Sequence, residues 1–241
     1  MSYAIVFADG AGSRMKSPDL TKQFIEVNGK PIIVYTLEHF QNHKGIKGVI
    51  VVFIKQWIPH MLKHVAQFGL CRVLNVISGN STCHESIHNR LCSIKDVTQP
   101  DDAVLLHDGM RTIIDAELIS NNMDSVKKFC NAISMSGATE AVCLINSKNE
   151  SNDHHTNKIL SRNNRYIGLA PHSFHYSEIM KCHKNAIEDN YTTTIDSTSM
   201  LENYGHERYS TPRSHLNIKI TPYRSLSFPV LRGYKEEKSI A

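Results

Sequence analysis

Four short, unbroken apolar runs constrain this chain more than any other feature: YAIVFA at 3–8, GVIVVF at 48–53, VLNVIS at 73–78 and AVLLHD at 103–108. A strand covered on both faces has no solvent side to alternate with, so it reads as a continuous apolar run, the pattern of a buried parallel sheet. Helical periodicity lies between the runs. Ile33, Leu37 and Phe40 repeat at i, i+4 and i+7 behind Pro31, in the place of a first-turn proline. Ile119, Met123 and Val126 repeat the same spacing after Asp115, a candidate helix cap. Strands alternating with helices predict an α/β fold with a doubly wound, mostly parallel sheet.

One segment departs from that alternation. INSKNESNDHHTNKILSRNNR, at 145–165 and just beyond, is polar and too poor in large apolar side chains to form a central strand. It is expected to leave the sheet as a loop or small β-arm, spanning about residues 145–168. The last dozen residues are expected to be a frayed tail. With 241 residues, 41% of them hydrophobic, the chain can bury a core of its own, and a single domain over 1–241 is expected.

Charge and cysteine usage narrow the function classes. The net charge of +4 comes without any dense basic stripe, which argues for a phosphate-handling enzyme and against a nucleic-acid binder. Six scattered cysteines without a CxxC pair read as reduced thiols. The chain opens directly into MSYAIVFADG, and no run approaches eighteen apolar residues. A cytoplasmic protein without a membrane span is therefore expected.

The chemistry concentrates after the first strand, in Ala8-Asp9-Gly10-Ala11-Gly12-Ser13-Arg14-Met15 followed by Lys22-Gln23-Phe24. Glycines at such a turn let backbone N–H groups approach phosphate oxygens. It is not a Walker loop, since no GK[ST] ends it, and the third glycine of the dinucleotide fingerprint is missing. Two cations, Arg14 and Lys22, raise its significance, because together they can neutralise a triphosphate and a departing pyrophosphate.

GxGxRM followed by KQF resembles the cytidylyltransferases that act on 2-C-methylerythritol 4-phosphate and ribitol 5-phosphate. The resemblance continues in order through SGNSTCHES at 78–86, HDGMR at 107–111, SRNN at 161–164, APHSF at 170–174, similar to a TPQxF turn, and NIKIT at 217–221. It implies the Rossmann-like fold of nucleotide-diphospho-sugar transferases with a protruding β-arm. It also implies a Mg²⁺-dependent transfer of CMP from CTP to a polyol phosphate, in a homodimer whose arms cross between subunits.

Carried onto this sequence, Arg14 and Lys22 would stabilise the α-phosphate and the leaving pyrophosphate, and Arg162 and Lys219 would grip the acceptor phosphate. Phe7, Ala8, Asp9, Gly10 and Gly12 would form the nucleotide loop. Gly79, Asn80 and Ser86 would read the cytosine, Asp108 would hold Mg²⁺, and Arg111 would support it. Lys55-Gln56-Trp57-Ile58 and Thr221-Pro222-Tyr223 resemble the ribitol phosphate branch, which makes D-ribitol 5-phosphate the expected acceptor. Such an activity would serve cell-wall or capsule polysaccharide synthesis; the alternative is the methylerythritol phosphate enzyme of isoprenoid synthesis.

Several positions depart from the family pattern: Asp9 for Ala or Gly, Thr21 for Pro, Cys83 for Arg, Thr112 for Pro, His172 for Gln, Asn146 for Asp and Leu216 for Asp. A carboxylate at position 9 would face an anionic ligand unless it turns away or binds the metal. Asp9 and Cys83 together motivate a further alternative, a nucleotide-binding homologue with weak or no catalysis.

Overall fold

The computed structural model describes residues 1–10, 22–79, 83–145, 156–191, 196–212 and 217–220. The first strand, β1 (Ser2–Ala8), leads past a 3₁₀ turn at Lys22–Phe24 and a two-residue ladder, β2 (Glu26–Val27) with β3 (Lys30–Pro31), into α1 (Ile32–Asn42). Then come β4 (Ile46–Phe53), α2 (Ile58–Gln67), β5 (Val73–Ser78), α3 (Cys83–Cys92), β6 (Ala103–Asp108) and α4 (Ala116–Phe129). The second half holds β7 (Asn131–Gly137), β8 (Val142–Ile145), β9 (Thr156–Leu160), β10 (Tyr166–His175), α5 (Tyr176–Glu188), α6 (Ser197–Asn203) and β11 (Ser210–Pro212).

Seven strands form one sheet in the order β11-β7-β10-β6-β1-β4-β5. All neighbours pair parallel except β10, which runs antiparallel to both β6 and β7. The four apolar runs are β1, β4, β5 and β6, and β1 shows why its run is unbroken. Ala4, Val6 and Ala8 pack on one face with Ile33, Leu37 and Phe40 of α1, Met61 of α2 and Ile119 of α4. Tyr3 and Ile5 pack on the other with Ile87 and Leu91 of α3, Ile179 of α5 and Met200 of α6. Successive side chains point to opposite faces, and here each face has helices to cover it.

Helix boundaries follow local chemistry. Asp115 caps α4, its carboxylate accepting the Leu118 N–H at 2.7 Å, as its type predicts. Pro31 precedes the first turn of α1, one residue outside the position expected for it. The polar segment leaves the main sheet as expected: among the described residues β8 and β9 pair only with each other, antiparallel, Val142 opposite Leu160. Residues 146–155 between them, and the tail, lie outside the described residues. The APHSF station corrects an expectation, since it lies within β10, between β6 and β7, and not in a turn. Its register against β7 breaks between Gly168 and His172, which brackets Pro171, a residue with no N–H to give a ladder. Among the described residues no helix is long and apolar enough to cross a membrane, and Cys71, Cys92, Cys130, Cys143 and Cys182 are free thiols.

Candidate active site

The chain runs from β1 outward through β4 to β5, then returns to lay β6 on the other side of β1. β1 therefore connects to one side of the sheet and β6 to the other, and a crevice opens beyond the carboxyl ends of these strands, the usual ligand site of such sheets. Register sets its floor: Phe7 stands beside Asp108, Ala8 beside Phe53, and Phe53 beside Ser78. A cleft of about 790 Å³ opens there.

On the β1 side, buried Gln23 donates Nε2–H to the carbonyls of Ala8, at 2.7 Å, and Gly10, at 3.2 Å. These two bonds tie Gln23 to the backbone that follows β1 and carry the neighbouring Lys22 to it. A Cβ at Gly10 would stand 3.6 Å from Lys22 Nζ, so the ammonium lies over the bare glycine backbone. Asp9 turns aside from it. Its Oδ2 meets Arg90 Nη2 of α3 at 2.6 Å, and the guanidinium lies over the Phe7 ring, 5.0 Å from its centroid. A methyl group at Gly79 would overlap the Asp9 carboxylate, which is therefore pressed against the backbone following β5.

On the β6 side, Asp108 accepts the Met110 N–H through Oδ1, at 2.9 Å, and pairs with the Lys219 ammonium through Oδ2. The 217–220 segment is tied down beside it. Ile220 N–H donates to Met110 O at 2.8 Å, Arg111 Nη1 donates to Asn217 O at 2.6 Å, and Asn217 Nδ2 donates to Ala170 O. His107 Nε2 closes the turn on Arg111 O at 2.9 Å. Burial pulls the Arg111 guanidinium below its ordinary pKa and Asp108 pushes it back, so it stays charged. The far wall is His172 of β10 and the start of α6. Thr198 Oγ1 lies 2.9 Å from His172 Nδ1, and Asp196 caps α6 by accepting Ser199 N–H at 2.8 Å. Burial lowers the His172 pKa more than the Asp196 carboxylate raises it, which keeps the ring neutral.

Phe7, Ala8, Asp9, Gly10, Lys22, Asp108, Arg111 and Lys219 thus line one cleft, and Gly79 joins it through Asp9. Arg162 does not: it sits exposed in the turn between β9 and β10, away from the cleft of its own chain. Gly12, Arg14, Asn80 and the side chain of Ser86 lie outside the described residues. Sequence reasoning missed Arg90, because a charged residue on a polar helix reads as a surface one; its side chain is only 4% exposed. Gln23 and Asn217 stood inside quoted motifs without a role.

Among the described residues no group of three His, Cys, Asp or Glu side chains could hold a metal ion. Of the cleft carboxylates, Asp9 is held by Arg90 and Asp196 by its helix, leaving Asp108, whose Oδ2 is shared with the half-exposed Lys219. One carboxylate fits Mg²⁺, which takes one or two from the protein and the rest of its oxygens from phosphate and water.

A family model described as IspD, 2-C-methyl-D-erythritol 4-phosphate cytidylyltransferase, matches residues 2–228. The chain belongs to the IspD family. It is a nucleotidyltransferase. A ribitol-5-phosphate cytidylyltransferase of Vibrio parahaemolyticus is 38% identical over 221 residues, 92% of this chain and 91% of that one. A Streptococcus agalactiae protein of the same name is 35% identical over all of this chain and 99% of its own length. A 2-C-methyl-D-erythritol 4-phosphate cytidylyltransferase of Clostridium novyi is 34% identical over 90% of each chain. The crystal structure of the Francisella tularensis IspD superposes with a TM-score of 0.75 at 23% identity, over 97% of this chain and 98% of that one. This IspD-family chain therefore has the expected fold.

Proposed function

We propose that this chain transfers CMP from CTP to D-ribitol 5-phosphate, giving CDP-ribitol and pyrophosphate. The observation that carries the reading is the division of cations across one cleft. Lys22 lies over the Gly10 backbone on the β1 side, and Lys219 and Arg111 flank Asp108 on the β6 side. Two anions brought together need that arrangement, one set of cations for each. The names of the relatives at 35–38% identity support ribitol 5-phosphate as the acceptor.

The triphosphate binds over Gly10, where Lys22 offsets the charge that grows as pyrophosphate leaves. Lys219 and Arg111 hold the acceptor's phosphate, so that one of its oxygens attacks the α-phosphorus as the bond to the β-phosphate oxygen breaks in line. Asp108 would hold Mg²⁺ once Lys219 turns from it to the acceptor; the ion supplies charge neutralisation across the phosphates. The protein acts as a homodimer in which the arm of one copy brings Arg162 to the cleft of the other. Exposed Val142, Ile159, Tyr166 and Ile167, on and beside the arm, support such a contact, since a lone arm gains nothing from that apolar surface.

The test is pyrophosphate release from CTP and Mg²⁺ with ribitol 5-phosphate, 2-C-methylerythritol 4-phosphate and glycerol 3-phosphate as acceptors. The reading expects release with ribitol 5-phosphate, lost when the metal is chelated. Release only with methylerythritol phosphate would move the chain to the isoprenoid enzyme, and silence with all three would overturn catalysis.

A further inference from the structure

Asp9 sits in the loop that should receive a triphosphate, where an uncompensated carboxylate would oppose it by like-charge repulsion. The Arg90 contact removes that conflict and leaves a different chemistry in its place. Arg90 is 4% exposed, committed to Oδ2 and to the Phe7 ring, while the Asp9 side chain keeps 29% of its surface open to the cleft. What the pair presents to a ligand is thus a neutralised carboxylate edge that only accepts hydrogen bonds. The edge is fixed in place from behind by the Gly79 backbone, whose own N–H donates to Phe53 O at 2.9 Å.

Its position across the sheet matters equally. Lys22 lies over Gly10, and Lys219 and Arg111 lie beyond it toward β6 and β10. The Asp9–Arg90–Gly79 group lies on the other side, toward β4 and β5, walled by Phe7 and Ile87. Phosphates go to the cations; a flat base suits the aromatic wall and the neutral acceptor edge.

We infer that the Asp9 carboxylate, clamped by Arg90, reads the exocyclic amine of the nucleotide base and selects cytosine over uracil. The inference rests on the cytidylyl-transfer reading and deepens it. Cytosine turns an amine donor toward such an acceptor. Uracil carries a carbonyl oxygen there, so two acceptors face each other with no proton between them. A site built to bond one polar group rejects the analogue that lacks it far more strongly than it rejects a change of size.

The experiment is calorimetric binding of CTP and UTP, with Mg²⁺, to the full-length chain and three variants. The wild type is expected to bind CTP at least tenfold more tightly than UTP. In Asp9→Asn the carboxamide keeps its carbonyl on Arg90 and turns its NH₂ outward, a donor that suits uracil, so the preference should fall at least tenfold. Arg90 buried without its anion could unfold that variant, so Asp9→Asn/Arg90→Met, which removes the charge as well, should show the same loss with an intact circular dichroism melt. Lys22→Ala should weaken both nucleotides alike and leave the preference standing. An unchanged CTP preference in either folded Asp9 variant, or a wild type that binds the two nucleotides equally, overturns the inference while leaving nucleotidyl transfer intact. A wild type that binds neither overturns both.

Discussion

Asn122 is polar, fully buried, and in the middle of α4, so its removal has a calculable cost. Its amide donates to Leu118 O and to Ser134 Oγ, each at 3.0 Å, and accepts from Ser173 Oγ at 3.0 Å. Ser134 in turn donates to Pro171 O at 2.8 Å. Truncation to alanine removes three side-chain bonds and strands the buried Ser173 hydroxyl, which alone costs about 1–3 kcal/mol. A total near 3 kcal/mol follows, a large share of the ~5–15 kcal/mol that holds a typical domain. In urea unfolding the Asn122→Ala midpoint should fall by roughly 1 M. Adding Ser173→Ala removes the stranded donor, so the double variant should be about 1–2 kcal/mol less damaged than the two single losses summed. Because the network ends on the carbonyl between Ala170 and His172, the acceptor's KM should also rise several-fold while CTP affinity holds. Strict additivity in the cycle, or an Asn122→Ala loss below 1 kcal/mol, would refute the network as described.

Lys22→Ala should lower kcat by ~10²–10³ with an unchanged circular dichroism spectrum, the usual effect of removing one preorganised charge from a transition state; a drop under threefold would remove Lys22 from the chemistry. Co-expressed Arg162→Ala and Lys219→Ala chains, each inactive alone, should regain activity as heterodimers with one intact site, and a mixture as silent as its parents would refute crossed arms. His172 is held neutral in the folded chain but is free to charge when unfolded, near pH 6.5. Its contribution is present above that value and is lost as pH falls below it, by at most about 1.4 kcal/mol per pH unit. His172→Gln should therefore lose less stability than the wild type between pH 7.5 and 5.5 in urea titrations, and an equal or larger loss would contradict the assignment.

Part of the site's framework was legible because it is local. Gly10 follows β1 by two residues, and Asp108 with Arg111 stands at the end of the β6 run, whereas Lys22 lies fourteen residues past β1 and is drawn back to it by Gln23. Polarity alone showed that the polar segment leaves the sheet as a loop or β-arm, and the pairing of β8 with β9 decided between the two. β10 was not legible: its first residues are exposed and Pro171 interrupts it, so neither an apolar run nor an alternation marks it, and only its place between β6 and β7 makes it a strand.

The sequence by itself determined the class of sheet and the glycine turn after β1, since burial pattern and backbone freedom are written residue by residue; Asp108 and Lys219 were singled out by the family's motifs. Tertiary structure alone decided what Asp9 is. Read in the chain it is an anion in a phosphate loop; folded, it is the partner of Arg90, 81 residues away, and its carboxylate is neutralised and turned toward the β5 side. Charge is a property of a residue, but its effect depends on what lies within a few ångströms, and only the fold supplies that distance.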